Sequence, residues 1–227
     1  MIAYTGRSGC IRTVRTLREA GIRTLVQRGA FRACGAARVR SMKAAPPPER
    51  YAYDTRVFED WQAGRPFDAV AMLEYQVDVL AAAALPDERR PDWIALPDVV
   101  ADGAASLALT LRALEQLDRI GMLDAGLRYA LVVQDGMMPT ALPWHWPFEV
   151  IFVGGSTAWK WATLEAWTAA ARERGRVVHV GRAGSMRSVL RVRRAGAASL
   201  DSSLPLWSTA KLERFIRALT CPMPEAA

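Results

Sequence analysis

Three aspartates stand where short apolar runs give way to polar residues: Asp54 closes the run 51–54, Asp98 follows 93–97, and Asp201 closes 197–201. Three further runs end in a similar way. Gln134 and Asp135 close 129–134, Gly154 and Gly155 follow Val153, and Gly181 and Arg182 follow Val180. Carboxylates outside any metal motif suit glycosyl chemistry, in which one attacks an anomeric carbon while another handles protons. Competing chemistries find less footing. The only two histidines, His145 and His179, form no His-x-His or His-Glu-x-x-His spacing, so no metal site is expected. No Gly-x-Ser-x-Gly turn presents a nucleophilic serine. His179 lies inside an apolar run and reads as a packed or hydrogen-bonded ring. A strand-end aspartate taken alone also reads as a turn or helix cap, and Asp98 has that alternative.

The order of elements must bring these residues together. Eight short apolar, β-rich runs recur at 2–5, 24–27, 51–54, 93–97, 129–134, 150–154, 177–181 and 197–201. Several are nearly continuous, the pattern of parallel strands buried on both faces. Segments with helical spacing lie between many of them. Residues 8–20 carry Ser8 as a candidate cap and Ile11, Val14 and Leu17 as a core-facing stripe. Residues 104–120 place Leu107, Leu111, Leu114 and Leu117 on one face, and 157–174, 185–195 and 209–219 follow the same logic. Strands alternating with helices predict an α/β fold, a compact (β/α)8 barrel of the TIM type in one domain over 1–227. A doubly wound sheet is the alternative, but Gly6-Arg7-Ser8-Gly9 lacks dinucleotide-fingerprint spacing. Residues 29–48, with three consecutive prolines, read as a long loop. Residues 135–147 leave little room for a helix, so one barrel helix is expected to be missing or replaced. In a barrel, the ends of the strands converge on the rim where active sites lie.

Composition sets the frame. The chain has 227 residues, 51% of them hydrophobic and 23% charged, which fits a globular protein rather than a disordered one. Its longest apolar stretch, near 79–85, is too short to span a bilayer, and the N-terminus lacks a secretory apolar region. Three scattered cysteines form neither a disulfide framework nor a zinc knuckle. A soluble cytoplasmic protein without membrane contact is expected. The formal net charge is +7 and uneven: residues 1–56 hold 12 basic and 3 acidic side chains, and 172–194 hold eight arginines against one acid. Such clustering fits a polyanionic partner such as nucleic acid. With 27 arginines and only 3 lysines, a GC-rich genome accounts for part of it.

In this order the residues resemble the tRNA-guanine transglycosylase superfamily, especially short phage and bacterial relatives that place 7-deazaguanines in DNA. Tyr53-Asp54-Thr55-Arg56-Val57-Phe58 is similar to an Asp-Ser-Gly-Gly-Phe or Asp-Asn-Gly-Ala-Phe motif, continued by Trp61 and Gly64-Arg65-Pro66-Phe67-Asp68. Leu96-Pro97-Asp98-Val99-Val100 stands at the second base-reading Asp, and Val132-Val133-Gln134-Asp135-Gly136-Met137 resembles Val-Gln-Gly-Gly. Phe152-Val153-Gly154-Gly155-Ser156 is similar to a Gly-Gly-Leu loop. His179-Val180-Gly181-Arg182, then Gly196 to Asp201, resembles the ending that carries the nucleophile. The resemblance implies a pentosyltransferase that exchanges guanine for a 7-deazaguanine. Asp201 would be the nucleophile and Asp54 the general acid/base. Asp98, Gln134, Gly154, Gly155, Gly181 and Arg182 would surround the base, with no cofactor and no metal. Aromatics such as Trp144, Trp146 or Trp159 would stack on a flipped-out base.

The departures shape the expectation. The Cys-x-Cys-x-x-Cys…His zinc site of the tRNA enzymes is absent, and only 26 residues follow Asp201. DNA is therefore favoured over tRNA. The bulk of Thr55-Arg56-Val57, where the family has small residues, bears on the role of Asp54. Two alternatives stay open: an N-glycosidase or nucleoside-level transferase, and a non-catalytic nucleic-acid-binding subunit working with a protein partner.

Overall fold

In the computed structural model, which describes residues 1–29 and 50–223, eight strands close into a barrel in chain order. They are β1 (Ile2–Thr5), β2 (Arg23–Gln27), β3 (Tyr51–Asp54), β4 (Ile94–Ala95), β5 (Tyr129–Val133), β6 (Val150–Val153), β7 (Val177–Val180) and β8 (Ser199–Asp201). Every neighbouring pair is parallel. β8 closes on β1 with Tyr4 opposite Asp201. The helices are α1 (Ile11–Glu19), α2 (Val57–Gln62), α3 (Ala69–Ala83), α4 (Gly103–Arg119), α5 (Thr157–Glu173), α6 (Met186–Arg194) and α7 (Thr209–Thr220). The (β/α)8 barrel read from the pattern is thus the observed fold.

The expected strands lie within about two residues of the observed ones. β4 is the shortest: Leu96 still donates to Ala130 O, but Pro97 has no N–H with which to continue the ladder. Asp102, Ser156, Ser185 and Ser208 each accept from the backbone N–H three residues on, starting α4 to α7. The link from β5 to β6 has no helix, only a 3-10 turn at Pro139–Ala141, as the composition of 135–147 predicts. The stretch 29–48 lies, from residue 30 on, outside the described residues.

Three local expectations need correction. Ser8 does not cap α1; Cys10 occupies that position without a side-chain bond, and Ser8 Oγ accepts from Cys10 N at 3.2 Å. Of the stripe Ile11, Val14 and Leu17, only Leu17 is buried, and Ile11 is 87% exposed. A strict spacing of three drifts by about 60° per step, so the first and last of these residues point about 120° apart. α2 and α3 have no counterpart in the periodicity. Along α3, apolar residues face both inward (Tyr75, Val79, Ala82) and outward (Val70, Leu73), which erases the amphipathic signal.

The core has two layers. Tyr4, Trp93, Val132 and Phe152 pack inside the barrel. The outward strand residues pack with Leu114, Leu117, Trp167 and Phe215 from the helices. Beside the N-terminal end of β4, Asp92 accepts from Tyr4 Oη at 3.0 Å, Arg23 at 2.9 Å and Arg50 at 2.7 Å, with its side chain only 9% exposed. Among the described residues no helix is long and apolar enough to cross a membrane. Removing the shared acceptor strands a buried hydroxyl and a largely buried guanidinium. Asp92→Ala should therefore lower the unfolding free energy by about 3 kcal/mol, read from urea denaturation.

Candidate active site

Barrel closure brings the strand ends together around a cavity of about 840 Å³. Asp54, Asp98, Gln134, Gly154, Gly181 and Asp201 line it, joined by Arg182. Of the two catalytic candidates and the six residues expected to surround the base, Gly155 alone stands behind the lining. Its φ of +69° and the nearness of Trp159 and Asp135 (a Cβ would lie 2.5 and 2.7 Å from them) require glycine.

Gln134 ties the wall together. Its Oε1 accepts from Ala101 N at 3.1 Å and Gly155 N at 2.9 Å, and its Nε2 donates to Asp98 Oδ2 at 2.6 Å. The amide oxygen is therefore engaged inside the wall, and the amide orients Asp98. Asp98 is buried and is not a cap; that task falls to Asp102, which accepts from Ala105 N. Asp135 likewise works structurally, accepting from Ser156 N at 2.6 Å where α5 begins.

The carboxylates sit in unequal surroundings. Burial raises Asp54 from its ordinary 3.8 to about 8, helped by the negative charges of Asp201, Asp98 and Glu59 and opposed by the backbone N–H of Arg56. Asp98 rises to about 6 through burial, moderated by the Gln134 hydrogen bond and the Arg182 charge. Asp201 is held at Oδ1 by His179 Nε2 (3.0 Å), and its Oδ2 lies 3.3 Å from Arg182 N. Behind Gly181 stands Lys160, 2% exposed, whose Nζ donates to Gly181 O. Burial and Arg182 pull this lysine down to about 8, against the attraction of Asp201. Asp54 and Asp98, in one cavity, are thus both raised, Asp54 the further.

The mouth is conformationally strained. Among the described residues, the non-glycine residues with positive φ are Arg56 (65°), Ala101 (60°) and Arg182 (55°), each in the segment that follows a barrel strand. The bulk of Thr55-Arg56-Val57 is accommodated without displacing Asp54. Thr55 and Val57 are buried, while Arg56 is exposed in the left-handed region. Arg182 donates to Gly155 O at 2.6 Å and lies over the Phe58 ring at 4.3 Å.

Other expectations change. Trp144, Trp146 and Trp159 do not line the cavity but pack beside the main core. Trp144 Nε1 donates to Pro139 O, and Arg174 lies over its ring. Aromatic side chains that do line the cavity are Phe58, Phe152 and the 67% exposed Trp207. Much of the 172–194 arginine run is engaged internally: Arg176 donates to Phe148 O, Arg191 to Trp161 O and Arg193 to Ala218 O. Arg7 and Arg28 from the first basic segment do line the cavity. Sequence patterns missed Lys160, although one of only three lysines, set between Trp159 and Trp161, was a signal of burial. Among the described residues no group of three His, Cys, Asp or Glu side chains is placed to hold a metal ion.

No protein-family model matches the sequence, and no curated protein matches it. Among solved structures the chain is similar to 3-hexulose-6-phosphate synthase, with 12% identity, TM-score 0.54, and 96% of this chain and 97% of that one covered. It is also similar to a putative fructose-1,6-biphosphate aldolase from Coccidioides immitis, with 12% identity, TM-score 0.54, and 96% and 84% covered. Tryptophan synthase from M. tuberculosis gives 14% identity, TM-score 0.54, and 99% and 92% covered. These likenesses establish a barrel fold that enzymes use; they carry no particular reaction.

Two measurements check the site. Because Asp54 binds its proton more tightly when folded, it contributes stability below about pH 4 that is lost as pH rises toward about 8. Asp54→Asn should be free of that loss, so melting curves across this range should show it gaining on the wild type with rising pH. Arg56→Gly, which relieves a left-handed side-chain residue, should raise stability by about 1 kcal/mol in urea denaturation.

Proposed function

We propose that this protein is a base-exchange glycosyltransferase that replaces guanine in nucleic acid, DNA in preference to tRNA, with a 7-deazaguanine. The observation that carries this reading is the pairing of Asp201, held at the end of β8, with an Asp54 that keeps its proton to about pH 8 in the same cavity. A carboxylate nucleophile and a carboxylic acid are what double displacement at C1′ requires. Asp201 attacks C1′, the bond to the purine nitrogen breaks, and Asp54 gives its proton to the departing base. The incoming base returns a proton to Asp54 as it displaces Asp201 from the sugar. Asp98, oriented by Gln134, accepts from the base edge.

The size of the cavity suits a nucleoside-sized unit, and a base in duplex DNA would have to leave its stack to enter. Arg7 at the cavity supports a phosphate-bearing substrate. The retained position of Asp54 favours an active enzyme over a non-catalytic subunit. The test is intact-mass spectrometry after acid quench of the protein mixed with DNA oligonucleotide, tRNA or nucleoside. A covalent adduct should form in the wild type and not in Asp201→Asn, and the polymer that yields it names the substrate. An adduct from nucleosides alone would move the assignment to a nucleoside-level transferase, and none from any of the three would overturn it.

A further inference from the structure

His179 lies inside the barrel, fully buried, with the rings of Phe152, Trp93 and Tyr4 at 4.5, 4.7 and 5.7 Å. A polar ring in that setting is costly unless both nitrogens find partners. Both do. Nδ1 lies 2.9 Å from Ser199 Oγ and Nε2 lies 3.0 Å from Asp201 Oδ1. Ser199 and Asp201 stand two apart on β8, so their side chains project from the same face of the strand. The attacking form of Asp201 is a carboxylate, which only accepts hydrogen bonds. That places a hydrogen on Nε2, with Ser199 Oγ as the partner of Nδ1. Among the described residues, the second oxygen, Oδ2, has only the 3.3 Å contact from Arg182 N.

We infer that His179 is the positioning residue of the nucleophile: the relay from Ser199 through His179 pins Asp201 by Oδ1 and leaves Oδ2 as the attacking oxygen. The attack and the choice of Nε2 as donor rest on the glycosyl-transfer reading above; the contacts of His179 with Ser199 and Asp201 do not. In that step the Oδ2–C1′ bond forms as the bond from C1′ to the base nitrogen breaks. The electron pair leaves with the base, and Asp54 supplies the proton. His179 transfers no proton. Ser199 does not line the cavity, so the Ser–His–Asp order does not present a serine nucleophile; the aspartate is its working end.

Three variants separate positioning from packing. His179→Phe keeps an aromatic ring against Phe152, Trp93 and Tyr4 and deletes both hydrogen bonds. His179→Gln restores a side-chain N–H for Oδ1, and Ser199→Ala cuts only the far end of the relay. After melting curves identify the folded variants, the rate of adduct formation should fall roughly 10- to 100-fold in His179→Phe, with half-saturation unchanged. It should recover largely in His179→Gln and fall least in Ser199→Ala. A His179→Phe protein as fast as the wild type would overturn the positioning role. Imidazole ¹⁵N spectra test the relay without any reaction, since the chain has only two histidines. Hydrogen on Nε2, with its signal displaced in Asp201→Asn, is expected, and an Nε2 without hydrogen overturns the relay. If the wild type shows the Nε2–H form but makes no adduct with any substrate, the relay stands and the glycosyl-transfer reading falls.

Discussion

Closing eight parallel strands in chain order leaves their carboxyl ends no place but one rim, and the chemistry of this protein follows from that crowding. Asp54, Asp98 and Asp201 are more than forty residues apart in sequence, yet they line one cavity. Crowding raises the cost of ionising Asp54, whose neighbours Asp201, Asp98 and Glu59 all carry negative charge. The barrel sorts the three aspartates: Asp54 has neighbouring carboxylates and one opposing N–H, Asp98 has an amide partner and a nearby guanidinium, and Asp201 has an imidazole.

That sorting needs a wall that does not give. Gln134 supplies much of it by joining the loop after β4, the loop after β6 and the Asp98 side chain through one amide. Arg182 does the same from β7, reaching Gly155 O and the face of Phe58 while its backbone N–H faces Asp201. Lys160 braces Gly181 from behind. The left-handed residues Arg56, Ala101 and Arg182 fall at these junctions, so the strain of the chain is concentrated where the site is assembled.

The barrel itself was legible because parallel strands buried on both faces leave near-continuous apolar runs, and eight of those can be counted. The strand-end aspartates were legible for the same reason, since a polar residue closing such a run stands out. What could not be read depends on direction in space. Spacing in α1 suggests a face that three-residue steps do not sustain, and α3 hides its period beneath apolar residues on both sides. Trp144, Trp146 and Trp159 have the right chemistry for stacking on a base but pack elsewhere, while the exposed Trp207 sits at the cavity. Gln134 was placed correctly at the rim, yet nothing in its neighbours along the chain shows that its oxygen is engaged by two backbone N–H groups.

The turn after Asp54 shows how a bulky sequence can be carried into a helix beside a carboxyl group. A chain that turns sharply into α2 needs one residue in the left-handed region, which glycine adopts freely and arginine adopts at a cost. Here Arg56 accepts that conformation, carries its side chain to the exposed surface, and leaves its N–H directed at Asp54. The turn is thus made by an arginine in the left-handed region rather than by a glycine. What a glycine there would secure, a carboxyl group facing the cavity with one backbone donor beside it, is retained. Asp54 and Asp201 are then two copies of one side chain in different surroundings, one among like charges and one paired with an imidazole.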